Sequence, residues 1–233
     1  MTNQDKVKSL QKTDLFGQIP ADALDELAEK AVVRNIHQNE ILFSAGESAT
    51  GMFVVVAGTL RAFRQNPEGR EQTIHVESEG ATMAEVPVFD QGPYPSTVIG
   101  EENSTVLFLS KQHVRQFLLK HPEAALSALN ILAKRLRHVA GLAEQLSLQD
   151  VTQRLASLLV EEAVRQKGEL HDGVSFSMPL PHQRIAARLG SVREVVTRNL
   201  HKLMDEKVIA IRGHKIIVLD SRALQAKAGP GTE

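Results

Sequence analysis

Apolar residues recur through Pro122–Asp150 at alternating spacings of four and three: Ala125, Leu129, Leu132, Leu136, Val139, Ala143 and Leu146. This is a heptad with both seam positions apolar, held for about three and a half repeats. It predicts one long helix. Pro122 suits a first turn, and no glycine or further proline intervenes before Gly141. A seam this narrow is best buried against a copy of itself. The expectation is therefore a homodimer joined through Leu129, Leu132, Leu136, Val139, Ala143 and Leu146. The competing reading is an ordinary core helix of a monomer. Gly141 costs the helix about 1 kcal/mol and is expected to mark a hinge or a close crossing.

Before this helix the pattern has a different period. Ala23, Leu24, Leu27 and Ala31 have helical spacing, with Pro20 placed to begin a short helix. Short strand-like runs follow at Ile41–Phe43, Met52–Ala57, Thr59–Phe63, Gln72–Val76, Ser96–Ile99 and Thr105–Leu109. Turn-rich segments separate most of them, among them Ala45-Gly46-Glu47, Asn66-Pro67-Glu68-Gly69 and Gln91-Gly92-Pro93. Strands this short and numerous predict a sandwich, jelly roll or barrel. Lys111–Leu119 reads as a helix leading into the long one.

After the long helix, Val151–Gln166 carries Leu155, Leu158, Leu159 and Ala163 at core spacing and ends near Gly168. Val174–Met178 alternates like a strand. Pro181 then opens a helix whose buried side is Ile185, Ala186 and Leu189, and Gly190 supplies a tight turn. Ser191 is available as N-cap of a second helix that buries Val195 or Val196 with Leu200 and Leu203. That is a helix-turn-helix. Two apolar runs within Val208–Leu219, joined at Arg212-Gly213-His214, form a β-wing. The tail, Ala226–Glu233, reads as loose.

Composition narrows the function. The 233 residues suffice for one large or two modest domains, and 27 basic against 28 acidic residues give no global field for a polyanion. The local balance differs. From Leu180 to Lys215 there are eight basic residues (Arg184, Arg188, Arg193, Arg198, Lys202, Lys207, Arg212 and Lys215) against Glu194, Asp205 and Glu206. Joined to a helix-turn-helix, that excess is the footprint of a phosphate binder and points to double-stranded DNA. Arg193, Glu194, Thr197 and Arg198 lie near the N-terminus of the second helix, the end that enters a major groove. An arginine can take guanine O6 and N7 together, and a glutamate can accept from cytosine N4. The chain has no cysteine, which removes disulfides, thiolate metal sites and cysteine-ligated iron–sulfur clusters. No nucleophile–base set, phosphate-cradling glycine loop or dense ligand cluster suggests an enzyme. No apolar run approaches membrane-spanning length and no signal-peptide core is seen, so the expectation is a cytoplasmic protein with no membrane partner.

Leu15-Phe16, Ile41-Leu42-Phe43-x-x-Gly46-Glu47, Phe53-Val54-Val55-x-x-Gly58-x-Leu60 and Gly69-x-Glu71 follow one another in an order that resembles the sensor domain of CRP/FNR-family transcription regulators. The resemblance runs over nearly the whole chain. It implies an α+β fold: an N-terminal β-roll like a cyclic-nucleotide-binding module (1–121), a dimerisation helix (122–150) and a C-terminal winged helix-turn-helix (151–233). It implies a palindromic promoter site and RNA polymerase as partners. The family's Glu-x-x-Ser/Gly-Arg pattern becomes Glu194-Val195-Val196-Thr197-Arg198, which assigns Glu194 and Arg198 to base reading. Arg193 matches the base-reading arginine of the CRP type and Gln183 a phosphate contact. Thr197 is neither the glycine nor the serine of the two main types, so TTGA- and TGnGA-like half-sites both stay open.

Cyclic-nucleotide binders of this family carry a Gly-Glu pair and, about ten residues on, an Arg-Ser/Thr-Ala run. Here Ala84 replaces the glycine, Glu85 remains, and Tyr94 stands where the arginine belongs. Pro93 and Pro95 remove backbone donors. An uncompensated carboxylate repels a phosphate, which argues against cAMP. Met83, Glu85, Tyr94, Ser96 and Thr97 are the expected effector pocket. The Pro93-Tyr94-Pro95 segment is similar to the Dnr branch, associated with nitric oxide and haem. Haem needs an axial ligand. Among nine histidines His75, in Ile74-His75-Val76, is the candidate, with His138 on the long helix second. The alternatives are a cyclic-nucleotide-responsive regulator and a module whose helix-turn-helix contacts protein rather than DNA.

Overall fold

Thr2 begins the first helix. In the computed structural model, which describes residues 1–229, α1 (Asn3–Gln11) is capped by a reciprocal pair in which Asp5 N–H donates to the Thr2 hydroxyl and Thr2 N–H to the Asp5 carboxylate. Val7 and Leu10 are its buried residues, a stripe too short for periodicity to reveal. Helix α2 (Ala21–Lys30) follows, as its spacing predicts.

The described chain holds two compact units. The first comprises Met1–Arg64 and Thr73–Val139; the second comprises Gln65–Gln72 and the chain from Ala140 onward. In the first, β1 (Val32–Ile36), β2 (Ile41–Phe43), β3 (Gly51–Ala57), β4 (Thr59–Gln65), β5 (Glu71–Ser78), β6 (Thr82–Met83), β7 (Thr97–Gly100) and β8 (Ser104–Ser110) build two four-stranded sheets, ordered β1-β8-β3-β6 and β2-β7-β4-β5. All six strand-like runs are strands. The sequence pattern missed β1, in which Ile36 alone is buried, and β6, which has two residues.

Strand β3 shows why the sheets close. Its residues alternate, Phe53 and Val55 entering the core with Phe43, Leu60, Met83 and Val106, while Met52 and Val54 join Leu24, Phe16 and Phe117. Gly58 connects β3 to β4 at φ +86°, and a Cβ there would lie 2.3 Å from Ser104 Oγ, so a side chain fits neither the backbone nor the space.

Three helices complete this part: α3 (Val86–Asp90), α4 (Lys111–Lys120) and, as far as Val139, α5 (Pro122–Leu148). The face of α5 that packs into its own chain is Ala124 and Ala128, with Ala125 and Ile131 partly buried. Past Ala125, the heptad seam lies elsewhere. Leu129 is 61% exposed and Leu136 71%; Val139, Ala143 and Leu146 are exposed too, and Leu132 is half-buried. The core-helix reading therefore fails for these positions within one chain. A Cβ at Gly141 would meet nothing within 4 Å, so no close crossing within the chain requires that glycine.

In the second unit, Asp150 caps α6 (Val151–Lys167), which ends at Gly168 in the left-handed conformation. Then come β9 (Ser175–Ser177), α7 (His182–Leu189), α8 (Arg193–Asp205), β10 (Ile209–Arg212), β11 (Lys215–Val218) and α9 (Ser221–Ala228). The wing sheet is ordered β10-β11-β9. Ser191 is not the cap of α8. Gly190 takes φ +59°, the turn draws Ser191 inward to 7% exposure, and Val192 becomes the N-cap with no side-chain bond. The tail expected to be loose is helical through Ala228, because Asp220 caps α9 and Leu224 and Ala228 are buried; the rest of that expectation, residues 230–233, lies outside the described residues.

Candidate effector cavity and nucleic-acid interface

A cavity of about 730 Å³ opens between the β-roll and α5. Phe43, Met83, Val98, Leu132, Leu136 and Val139 give it apolar walls, and Arg64, His75, Glu77, Glu85 and Arg135 its polar groups. Met83, Glu85 and Ser96 of the expected pocket line it. Tyr94 and Thr97 do not. The Tyr94 ring stacks on Phe43 at 3.9 Å between centroids, and its hydroxyl donates to Gly51 O at 3.2 Å, so it is a core residue. The Thr97 hydroxyl accepts from Ala45 N–H at 3.0 Å and ties β7 to the loop after β2.

The residue that the sequence reading missed is Arg135. Its guanidinium donates to Thr82 O at 2.6 Å and to Glu85 Oε1 at 3.1 Å, lies 2.9 Å from His75 Nε2, and stands 3.3 Å from Glu77 Oε1. The Thr82 hydroxyl also donates to Glu85. Glu85, 3% exposed, is therefore compensated, contrary to the expectation of a bare carboxylate. Ala84, in the place of the family glycine, adopts φ +64°, the left-handed backbone that a glycine takes without strain. The local chain geometry of a glycine is thus kept without the glycine.

His75 does not fit the role of axial haem ligand while Arg135 is in place. A guanidinium can only donate, so His75 Nε2 is the acceptor, and Nδ1, 3.3 Å from Glu77 Oε1, carries the proton. The lone pair that an iron would need is committed. His138 donates Nε2–H to Ile74 O at 2.9 Å, which leaves Nδ1 as its basic nitrogen.

In the second unit the helix-turn-helix core is Ile185, Ala186, Leu189, Val196, Leu200 and Leu203. This leaves Gln183, Arg193, Glu194 and Arg198 exposed, and Thr197 half-buried beside them. Helical spacing places Glu194, Thr197 and Arg198 on one face. Not every counted cation is available to phosphates. Arg188 lies 3.1 Å from Glu162 on α6, which also holds Arg165 and Gln166. Burial pushes the Glu162 carboxyl up, but the hydrogen bonds from Arg165 and Gln166 and the charges of Arg165 and Arg188 outweigh it and hold the group below its usual value. Lys202, Lys207, Arg212 and Lys215 are exposed on α8 and the wing. No helix among the described residues is long and apolar enough to cross a membrane.

The cyclic nucleotide-binding domain family matches residues 33–121, and the Crp-like helix-turn-helix domain family matches residues 153–227. A CRP-like cAMP-activated global transcriptional regulator of Mycobacterium tuberculosis (strain CDC 1551 / Oshkosh) is 23% identical over 94% of this chain and 98% of its own length. The transcriptional activator protein FnrA of Stutzerimonas stutzeri is 25% identical over 89% of this chain and 84% of its own. A crystal structure of a transcriptional regulator of the crp/fnr family from Eubacterium rectale shares the fold, with a TM-score of 0.74 and 22% identity over 93% of this chain and 98% of that one. With both domains present in this order, the chain belongs to the CRP/FNR family of transcription regulators, proteins that bind DNA, act as dimers and carry a ligand-binding domain.

Proposed function

We propose that this protein is a homodimeric regulator that reads a two-fold DNA site through α8 and is switched by a small molecule held in the β-roll cavity. Residues 1–121 sense, 122–150 join the two copies, and 151–233 bind DNA. The observation that carries the reading is the outward face of α8, where Arg193, Glu194 and Arg198 are exposed while Val196, Leu200 and Leu203 hold the core. These are groups that match guanine and cytosine edges. Gln183 meets a backbone phosphate. The exposed apolar seam of α5 supports pairing of two copies. Paired copies bind a palindrome when their recognition helices sit about one helical turn of DNA apart, ~34 Å, and RNA polymerase is the partner at the promoter.

Leu132, Leu136 and Val139 line the cavity and belong to the seam, so an effector in the cavity touches the dimer interface directly. It shifts the equilibrium to the extent that it favours one arrangement of that interface over another. The walls suit a small molecule with an apolar body. A cyclic phosphate is disfavoured because Tyr94, Pro93 and Pro95 offer no cation or free amide donor, Arg135 already serves two carboxylates, and Arg64 donates to the Pro95 carbonyl. The haem-mediated nitric oxide reading rests on the similarity of Pro93-Tyr94-Pro95 to the Dnr branch and requires Arg135 to release His75. An anaerobic hemin titration tests it: a saturable one-per-chain spectrum that shifts with nitric oxide supports it, and a non-saturating one removes haem.

Selection from random-sequence duplex DNA tests the main reading. Enrichment of a palindrome supports it. No enrichment by any ligand form favours a module that contacts protein instead, and equal DNA affinity in every ligand state removes the switch.

A further inference from the structure

Thr197 sits on the base-reading face of α8, yet its hydroxyl is committed within the protein. Oγ1 donates to the carbonyl of Arg193 one turn earlier at 3.0 Å, and lies 2.8 Å from Nδ1 of His182, the first residue of α7. A hydroxyl has one proton. With that proton on Arg193 O, the imidazole donates Nδ1–H to the same oxygen. If the proton instead goes to His182, it is equally unavailable to a base. The hydroxyl therefore cannot donate to a base, and what the side chain has left to offer a nucleic acid is its methyl group and one acceptor lone pair.

From this we infer that Thr197 reads thymine by apolar contact with its C5-methyl, and that His182 is the positioning residue that holds the threonine in that orientation. The chemistry matches the groove: thymine is the base that presents a methyl on the major-groove side, and threonine methyls contact it. Glu194, three residues before Thr197 and four before Arg198, and Arg198 itself cover the polar edges beside it. The interlock also joins the two helices of the motif side chain to side chain, so removing His182 frees the hydroxyl to turn outward. The inference rests on α8 being the DNA-reading helix.

The test begins with the site that the wild-type protein selects from random duplex DNA. Each thymine of one half-site is then replaced singly by deoxyuridine, which deletes the methyl and leaves the hydrogen-bonding edge intact. At one position the wild type and Thr197→Val should each lose affinity by about fourfold, the size of one buried methyl. Thr197→Ser, which has a hydroxyl and no methyl, should be indifferent to deoxyuridine there. His182→Ala should select sites with a weaker thymine preference at that same position and an unchanged preference elsewhere. Equal deoxyuridine sensitivity of wild type and Thr197→Ser at every thymine would overturn the inference. So would loss of the base preference in Thr197→Val, which would make the hydroxyl the reader. A wild type that selects no site overturns the DNA reading itself, a separate failure.

Discussion

Arg135→Ala removes the one cation that Glu85 touches among the described residues and leaves that carboxylate, 3% exposed, with the Thr82 hydroxyl. It also strips a donor from Thr82 O, 2.6 Å away. Breaking a fully buried ion pair costs about 3–5 kcal/mol, since the surviving charge stays desolvated. Arg135 is 23% exposed, so water can reach part of the gap, and the expected loss is about 2–3 kcal/mol. That is roughly a 30- to 150-fold shift toward unfolding. Urea denaturation is the suitable assay because urea is uncharged and does not screen the pair. The protein reports on itself: Tyr94 is its single tyrosine, there is no tryptophan, and the ring stacks in the β-roll core. Glu85→Gln in the same background should recover about 1 kcal/mol or more, because the stranded charge is gone. A loss below about 0.5 kcal/mol for Arg135→Ala, or additivity of the two changes, would refute the claim that Arg135 compensates Glu85.

Three further outcomes follow from single residues. Leu129→Glu puts a charge on an exposed seam position outside the cavity, so sedimentation should show dimer affinity weakened by about 100-fold or more, with the β-roll transition unchanged. Ala84→Gly relieves the left-handed backbone at φ +64° and should raise β-roll stability by up to about 1 kcal/mol in the same urea assay. Glu162 has a lowered folded value, so its stabilisation is present above the ordinary glutamate value of 4.5 and fades as the pH falls through the folded one; in acid titrations by circular dichroism, Glu162→Gln should flatten that part of the stability profile and cost about 1–2 kcal/mol at neutral pH.

The elements that sequence alone revealed are those whose pattern is long or chemically marked. The heptad of α5, the Gly190 turn and the Arg212-Gly213-His214 wing each carry their signal within one stretch of chain. Helix α1 and strand β1 were missed because each buries one or two side chains, and α9 because it buries only Leu224 and Ala228, with Ala223 partly buried beside them. The cavity was half legible. Glu85 stood out, but its partner comes from 50 residues away, at a position flanking the heptad seam where a coiled coil would aim it at the partner helix. Tyr94 reads the same in sequence whether it faces a ligand or Phe43. The charge excess of the helix-turn-helix was overstated for a similar reason, since Glu162 claims Arg188 across 26 residues.

If two copies read a two-fold DNA site through α8, the DNA itself carries the record of that symmetry. Hydroxyl-radical footprinting of a selected fragment tests it directly. Two protected patches related by two-fold symmetry and about one helical turn apart (~34 Å) are expected, and both should be lost in Arg198→Ala. A single asymmetric patch, or protection that persists unchanged in Arg198→Ala, would contradict it.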